Sequence, residues 1–497
     1  MNQRLFILLT VALTSMATSA PVQDAEPTVA LVAGPVLTLD HAIQLALLNN
    51  KNLKVVAFER GISSANLLVA RGQFDPSLAF SRTSLQTFEE ASASPPFFEN
   101  LKEDYFSIGI QGQMPWGMTY NVSGNTVDLR YMYNGYQPIY QSFGGVNITQ
   151  PLLKGFGFAA NLAAVRIAKA SRSISNCDYR LSAINTVTNV VIAYSNLQFA
   201  HDGLGVAQRT RGVAASLLDD NEKSFKIGRI SQSEVIQARA RVASLEQNVL
   251  IYERSIRDNE NVLRELIGEE TFFEDKPLFV LTPVVTPEVT IDRRADLQCA
   301  LRMRPDYESA RLGIVQKRST EAAAVNGLLP EVNFVGGYGY NGLASTFSAS
   351  RQMVADRLNP SFSAGLAVKV PFAFATARGT ERAARLRREQ AEEDLRRLAA
   401  DIAVAVATAE GQVETTRKRV IANQTAYALA KEALEAEEKK MRAGASTTLA
   451  VQQVQQALAS VELSVYSALS SERQAVAVYD QQLGTTLERH QIKLNDD

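Results

Sequence analysis

Two hydrophobic periods alternate along this chain. From Val332 to Tyr340, the positions Val332, Phe334, Gly336, Tyr338 and Tyr340 are interleaved with Asn333, Gly337 and Gly339. Phe362, Ala364, Leu366, Val368, Val370 and Phe372 then alternate with Ser361, Ser363, Gly365 and Lys369. Side chains that switch face at every residue give β-strands with one apolar face. An earlier region repeats the pattern with Phe106, Ile108, Ile110 and Met114, then Met118, Tyr120 and Val122, then Val146, Ile148 and Leu152. Each predicted strand is about ten residues, the length a tilted transmembrane strand needs. Trp116, Tyr131, Tyr133, Tyr136, Tyr140 and Phe143 gather near the strand ends, as an interfacial aromatic girdle would. The turn Pro115-Trp116-Gly117 predicts a hairpin over Tyr105 to Val127, and Glu89 to Asp104 reads as an exposed connection.

After each alternating region the period changes to that of a helix. Phe158 to Lys226 and Arg378 to Arg442 carry apolar residues at helical spacing with only isolated interior glycines. At 1.5 Å per residue each predicts a helix roughly 100 Å long, far more than a bilayer or an ordinary domain requires. Both stretches end at a glycine, Gly228 and Gly444, and a second helix returns. The first return carries Val235, Ala238, Val242, Leu245, Val249, Tyr252, Ile256, Asn259, Leu263 and Leu266, spaced three and four in turn. The second carries Val451, Val454, Leu458, Val461, Val465, Ala468, Ala475 and Tyr479, with Glu472 interrupting. A sustained 3.5-residue period keeps one stripe against a partner and predicts coiled-coil seams; an ordinary bundle helix drifts from it.

The same parts therefore occur twice in the same order. Lys51–Phe80 aligns with Pro305–Phe334 without a gap, and Gln150-Pro151-Leu152 corresponds to Val370-Pro371-Phe372. The expected organisation is a leader at 1–20, a linker at 21–36, a first repeat at 37–268, a connection at 269–295, a second repeat at 296–484 and a tail at 485–497. The proline-rich connection is expected to pack partway along the long helices. The first copy is longer between its prolines. Its excess either adds two strands to a barrel or folds over the mouth, and the pattern does not decide which.

Composition narrows the chemistry. The 497 residues carry a formal net charge of −1, which offers no basic field to nucleic acid. Cys177 and Cys299 stand far apart in helical patterns and read as small buried hydrophobes. The first twenty residues read as an export signal, with Arg4, an apolar run Leu5–Ala17 and small residues at Thr18-Ser19-Ala20; cleavage falls after Ala20 or Ser19. No other apolar run is long enough for a membrane helix, yet an exported chain can span a membrane as a closed barrel. A soluble antiparallel sheet shows the same alternation, but the export signal and the long helices favour the membrane. Too few strands are present to close a barrel within one chain, and open edges are not tolerated in lipid, so several chains must share one wall.

At this point the residues resemble a known family. Leu37-Thr38-Leu39-Asp40-His41-Ala42-Ile43-Gln44-Leu45-Ala46-Leu47 is similar to the opening motif of TolC-like outer-membrane efflux proteins, as is Gln150-Pro151-Leu152-Leu153-Lys154-Gly155-Phe156-Gly157. The glycine turns before Ser233-Glu234-Val235-Ile236-Gln237-Ala238 and Leu449-Ala450-Val451-Gln452-Gln453 resemble the family's helical tips. The resemblance implies an α+β membrane protein with two internal repeats. Three chains would share an outer-membrane β-barrel, set in outer-membrane lipid and continued by a periplasmic α-helical coiled-coil barrel. It implies a periplasmic adaptor (membrane fusion) protein as partner, and through it an inner-membrane transporter. Adaptor contacts would fall at Gly228, Arg229, Ser231, Gly444, Ser446 and Thr447. In the family an arginine and rings of aspartate close the tips. Here the arginine position is Ser446, and the aspartate positions of the second copy are Ala450 and Gln453. Glu234, Gln237 and Gln453 are then the candidate constriction.

Catalytic look-alikes carry little. Gly155-Phe-Gly-Phe-Ala-Ala160 mimics a dinucleotide fingerprint, but the helix after it is several times too long for a βαβ crossover. The glycines read instead as a turn from barrel wall into helix. His41, His201 and His490 are scattered, so no metal, cofactor or triad is expected. Glu381 to Arg397 reads as a solvated helix face with pairs such as Glu389–Arg385. The expected function is a passive exit duct of a tripartite efflux pump or type I secretion system. The alternatives are a periplasmic coiled-coil scaffold or adaptor protein without a pore, and an exported enzyme.

Overall fold

The computed structural model describes residues 36–91, 97–268, 279–280, 289–443 and 445–494. The export signal, most of the connection and Gly444 lie outside the described residues. In chain order the elements are β1 (Val36–Leu37), α1 (Leu39–Asn49), α2 (Lys51–Gly72), β2 (Ser77–Ala91), β3 (Phe97–Gln113), β4 (Thr119–Tyr131), β5 (Ile139–Pro151), α3 (Phe158–Asn161), α4 (Ala163–Lys226) and α5 (Gln232–Ile267). They continue with β6 (Phe279–Val280), α6 (Arg293–Met303), α7 (Pro305–Asn326), β7 (Glu331–Ala344), α8 (Phe347–Ala355), β8 (Pro360–Lys369), α9 (Ala375–Arg442), α10 (Thr448–Leu483) and α11 (Thr486–Arg489).

The duplication is visible element by element. α1 and α6 each have 11 residues, α2 and α7 each have 22, and α5 and α10 each have 36. Both return helices stop at a glycine held at positive φ, Gly268 and Gly484. Against Gly268, the space a Cβ would need is taken by the Asn49 carbonyl, 2.4 Å away, so both conformation and room require glycine there. α4 has 64 residues and α9 has 68, which makes each about 100 Å long.

The heptad positions do what the pattern asks. Val235, Ala238, Leu245, Val249, Ile256 and Leu263 are buried on α5, and Val451, Ala468, Ala475 and Tyr479 on α10. Glu472, which interrupts the second series, faces Arg417 of α9 at 3.7 Å. Close approach of α4 and α5 depends on Gly203, where an added Cβ would stand 2.3 Å from the Tyr252 ring. Two apolar cores lie partway along the helices. The first gathers α1 and the middle of α4 around Tyr194, whose hydroxyl donates to the Leu37 carbonyl at 3.1 Å. The second surrounds Tyr479, whose hydroxyl donates to Asp296 at 2.7 Å. The described parts of the connection reach these cores: β6 pairs with β1, and Arg417 donates to the Val289 carbonyl at 2.8 Å.

Six strands form one antiparallel sheet in the order β2-β3-β4-β5-β7-β8. One face carries Leu78, Phe80, Ile108, Ile110, Val122, Val146, Phe362, Leu366 and Val368, all well exposed. The other carries Ser, Asn, Gly and Gln, for instance Asn121 opposite Asn147 and Gly337 opposite Ser363. Several expectations are corrected. Glu89 to Asp104 is not a connection, since β2 and β3 pair as far as Ala91 and Phe97. Phe143 does not join a girdle on the apolar face; it shares the small-residue face with Gly145 and Gly339 and leans over both. The long helix after Phe158 is broken at Leu162, because Asn161 turns its amide back onto the Gly155 and Gly157 carbonyls at 2.7 and 2.8 Å. Both glycines have positive φ and take the strand into the helix. In the charged run, Arg385 pairs with Glu381 rather than Glu389. Arg388 there reaches Glu321 of α7 at 2.7 Å, and Arg318 of α7 returns to Glu392 at 3.2 Å, which ties α7 to α9.

Candidate functional site: the helical tips and the sheet

Each tip is a tight turn between a long helix and its return. In the first, Gly228 takes φ 71° and its N–H donates to Phe225 at 2.9 Å, while Arg229 donates back to Ser224. Ser231 then caps α5, accepting from the Glu234 N–H. Serine at that position satisfies an orphan donor of the helix start and fixes the exit angle of the turn. In the second, Thr447 caps α10 by accepting from the Ala450 N–H at 3.3 Å. Ser446, at the position where the family resemblance expects arginine, hydrogen-bonds Glu437 of α9. That hydroxyl, followed by the Lys440 ammonium at 3.1 Å, holds the Glu437 carboxyl below the ordinary range. The second tip is thus pinned to its own helix pair by an acid, a hydroxyl and a lysine.

Glu234, Gln237 and Gln453 are all exposed in the single chain. Among the described residues, no hydrogen bond or ion pair joins one of them to another. What the chain does bring together lies just above. α4 and α5 form one pair, α9 and α10 the other, and between them near the tips is a cleft of about 230 Å³. Val213, Leu217, Leu245, Gln452, Gln456 and Leu458 line it. Arg209 of α4 and Glu462 of α10 also border it, paired at 2.7 Å. Farther from the tips, a polar seam joins the same two helices. Ser470 donates to the Ser195 carbonyl at 3.2 Å, Gln474 to Asn196 at 2.7 Å and Gln481 to Asn185 at 2.8 Å. The sequence reading missed this seam, because its members fall between the heptad positions and look like solvent-facing polar residues.

At the far end of the sheet, α8 lies across the face that is apolar nearer the helices. Its own Ser350 is fully buried against the sheet and donates to Ser142 at 2.7 Å, and Ser142 contacts Thr126 at 2.8 Å. Phe347 meets Phe106 and Tyr140 edge-on, with ring centroids 6.3 and 6.0 Å apart. The one tryptophan, Trp116, lies at the opposite, helical end, where its indole donates to Gln150 at 3.1 Å. Among the described residues there is no group of His, Cys, Asp and Glu that could hold a metal, and no helix is long and apolar enough to cross a membrane. Burial raises both cysteine thiols, which makes them poor nucleophiles.

The sequence matches the model of the outer membrane efflux protein family over residues 42–269 and 297–485, one segment for each repeat. The chain belongs to that family. It is accordingly an outer-membrane efflux channel and not an enzyme, and the reading as a scaffold without a pore falls. Solved structures carry the same fold. The CmeC outer membrane channel of Campylobacter jejuni superposes with a TM-score of 0.67 at 15% identity, covering 92% of this chain and 87% of that one. VceC, an outer membrane protein of Vibrio cholerae, gives 0.64 at 19% identity, covering 90% and 96%. The open state of the MtrE outer membrane channel of Neisseria gonorrhoeae gives 0.64 at 17%, covering 90% and 89%. No curated protein matches this sequence.

Proposed function

We propose that three copies of this chain, exported by the N-terminal signal, close one barrel in the outer membrane and one helical tube below it, which serves as the exit duct of a tripartite efflux pump or type I secretion system. The observation that carries this reading is the open sheet. β2 and β8 each have a free edge, and one face of the sheet is apolar from strand to strand. Neither edge can face lipid unpaired. With six strands, β8 runs antiparallel to β2, so β8 of one copy can add to β2 of the next in the pattern already used throughout the sheet. Head-to-tail pairing of that kind closes a ring.

The duct performs no reaction of its own. The tips near Gly228 and Ser446, with Arg229, Ser231 and Thr447, meet a periplasmic adaptor that couples the duct to an inner-membrane transporter. The rings formed by Glu234, Gln237 and Gln453 of three copies narrow the tube there. Opening parts the α9–α10 pair from the α4–α5 pair along the cleft. The test is extraction from outer membranes. A trimer that resists dissociation until heated and conducts ions in planar lipid is expected. A water-soluble monomer without conductance refutes the proposal.

A further inference from the structure

The internal repeat assigns one hairpin to each copy, and the first copy has two. By the alignment, β2 corresponds to β7 and β5 to β8, since Phe80 meets Phe334 and Pro151 meets Pro371. β7 pairs directly with β8. Their counterparts β2 and β5 do not pair with each other; β3 and β4 stand between them. The extra hairpin therefore lies within the sheet and does not fold across its end.

Its side chains repeat the two faces of its neighbours. Ile108, Ile110 and Val122 continue the apolar face, while Ser107, Gly109, Asn121 and Ser123 continue the small polar face. Pairing is continuous on both sides, from Ser77 opposite Gln111 to Ala91 opposite Phe97, and from Thr119 opposite Thr149 to Leu129 opposite Ile139. Hydrogen-bonded Ser81 and Ser107 hydroxyls cross the first of these seams at 2.8 Å. A loop that only covers a mouth has no need of an apolar outer stripe in register with the wall.

We infer that the inserted hairpin widens the barrel, so that three chains of six strands close an eighteen-stranded wall where one hairpin per repeat would close twelve. The inference rests on the trimeric reading above. With strands about 4.8 Å apart and tilted about 40°, each takes about 6.3 Å of circumference. Eighteen then enclose a ring about 36 Å across between backbones, and twelve a ring of about 24 Å. The lining is uncharged from Ser107 to Gln113 and from Thr119 to Asn125, with Tyr105 and Glu103 joining it only toward the far end, so the wide bore stays open to bulky neutral solutes over that stretch. The outer-membrane section is no bottleneck, and size selection falls to the helical tips.

Two measurements on the full-length protein test this. Electron cryomicroscopy of the detergent-extracted protein, viewed along its axis, counts strands directly. In the same preparation, Ser81→Cys with Ser107→Cys, in a Cys177→Ser, Cys299→Ser background, is oxidised and analysed for a bond within one chain. Eighteen strands and an intrachain disulfide are expected, and in planar lipid a neutral polymer about 20 Å across enters from the extracellular side. A trimer with twelve strands, or exclusion of that polymer, overturns the inference and leaves the trimeric duct standing. A particle of another copy number, weighed by light scattering, overturns the trimeric reading, and the eighteen-stranded wall fails with it. An intact trimer in which the Ser81–Ser107 pair fails to oxidise counts against the wall hairpin.

Discussion

Asp480 offers the sharpest quantitative test of the helical body. It sits in the last turn of α10 and is 3% exposed. That is a poor place for an acid, because burial strips its water and the helix end presents unpaired carbonyls. Arg489 of α11 pairs with it, but among the described residues its second oxygen, Oδ1, finds no donor. Burial outweighs the arginine, and the carboxyl is pushed up from 3.8 to about 6. Between those two values the folded chain keeps a proton that the unfolded chain has lost. Stability from this group is therefore fully present below pH 3.8 and is lost as pH rises through about 6. About two units correspond to roughly 3 kcal/mol per chain.

Asp480→Asn fixes the neutral state. Its danger is the arginine left behind, since orphaning a buried charge costs about 3–5 kcal/mol. The Arg489 side chain is 31% exposed, so water can take the place of the lost partner. The variant should match the parent near pH 4 and exceed it by about 2–3 kcal/mol at pH 7.5. Thermal unfolding of the detergent-solubilised protein, followed by helical circular dichroism at both pH values, isolates the group as a difference of differences. Lower stability of Asp480→Asn at pH 7.5, or a pH dependence parallel to the parent's, would show that the buried carboxylate is satisfied in a way this reasoning omits.

Three further perturbations test other contacts. Gly203→Ala should cost about 1–3 kcal/mol by melting, because its methyl meets the Tyr252 ring at 2.3 Å. Gly212→Ala on the same helix, with nothing within 4 Å, should gain about 0.5–1 kcal/mol; equal effects would refute the close approach of α4 and α5. Tyr194→Phe should cost about 1–2 kcal/mol by depriving the Leu37 carbonyl of this donor, and an unchanged melting midpoint would contradict that. Arg209→Ala removes the pair that holds α4 to α10 beside the cleft. At about 0.5 kcal/mol for an exposed pair, and three pairs in the proposed trimer, the open-to-closed ratio should rise roughly tenfold. Single-channel recordings with an unchanged open fraction would exclude this clasp from the gate.

The body of the molecule was legible because its elements are long and its periods clean. Lys51 and Pro305, the starting points of the gapless alignment, are the first residues of two 22-residue helices. The coiled-coil stripes could be read directly, since Val235 to Leu263 must face a partner at a fixed spacing. The sheet was legible only where it is apolar. Past Phe80 and Phe106 that face changes to Arg82, Ser84 and Asp104, so the alternation vanishes while the backbone ladder continues to Ala91 and Phe97. Hydrophobic contrast marks the part of a strand whose one face is apolar and is silent about the part that continues past it. α8 escaped for a related reason. It has only nine residues, and the one side chain it buries fully is Ser350, a hydroxyl on Ser142 and Gly342; the apolar Phe347, Met353 and Val354 beside it make a stripe of barely two turns, too short to announce a helix.

The tips show where a single chain stops carrying its own explanation. Ser231 and Thr447 cap their helices through contacts three residues away, so their roles are complete within one copy. Ser446 also finds its partner at home, in Glu437, and there lies the difference from an arginine lock. An arginine at that position could reach across a gap to a second chain. A serine held by a glutamate of the adjoining helix cannot. If Glu234, Gln237 and Gln453 form the rings proposed above, they bring one acid and no base from each chain, so the rings themselves hold no opposite charges to pair. In that proposal the closed state rests on helix packing and on the intrachain contacts above the tip, Arg209 with Glu462 and the amide seam from Asn196 to Gln481. A gate built in this way should respond weakly to salt at the constriction and strongly to any substitution that lets the two helix pairs separate.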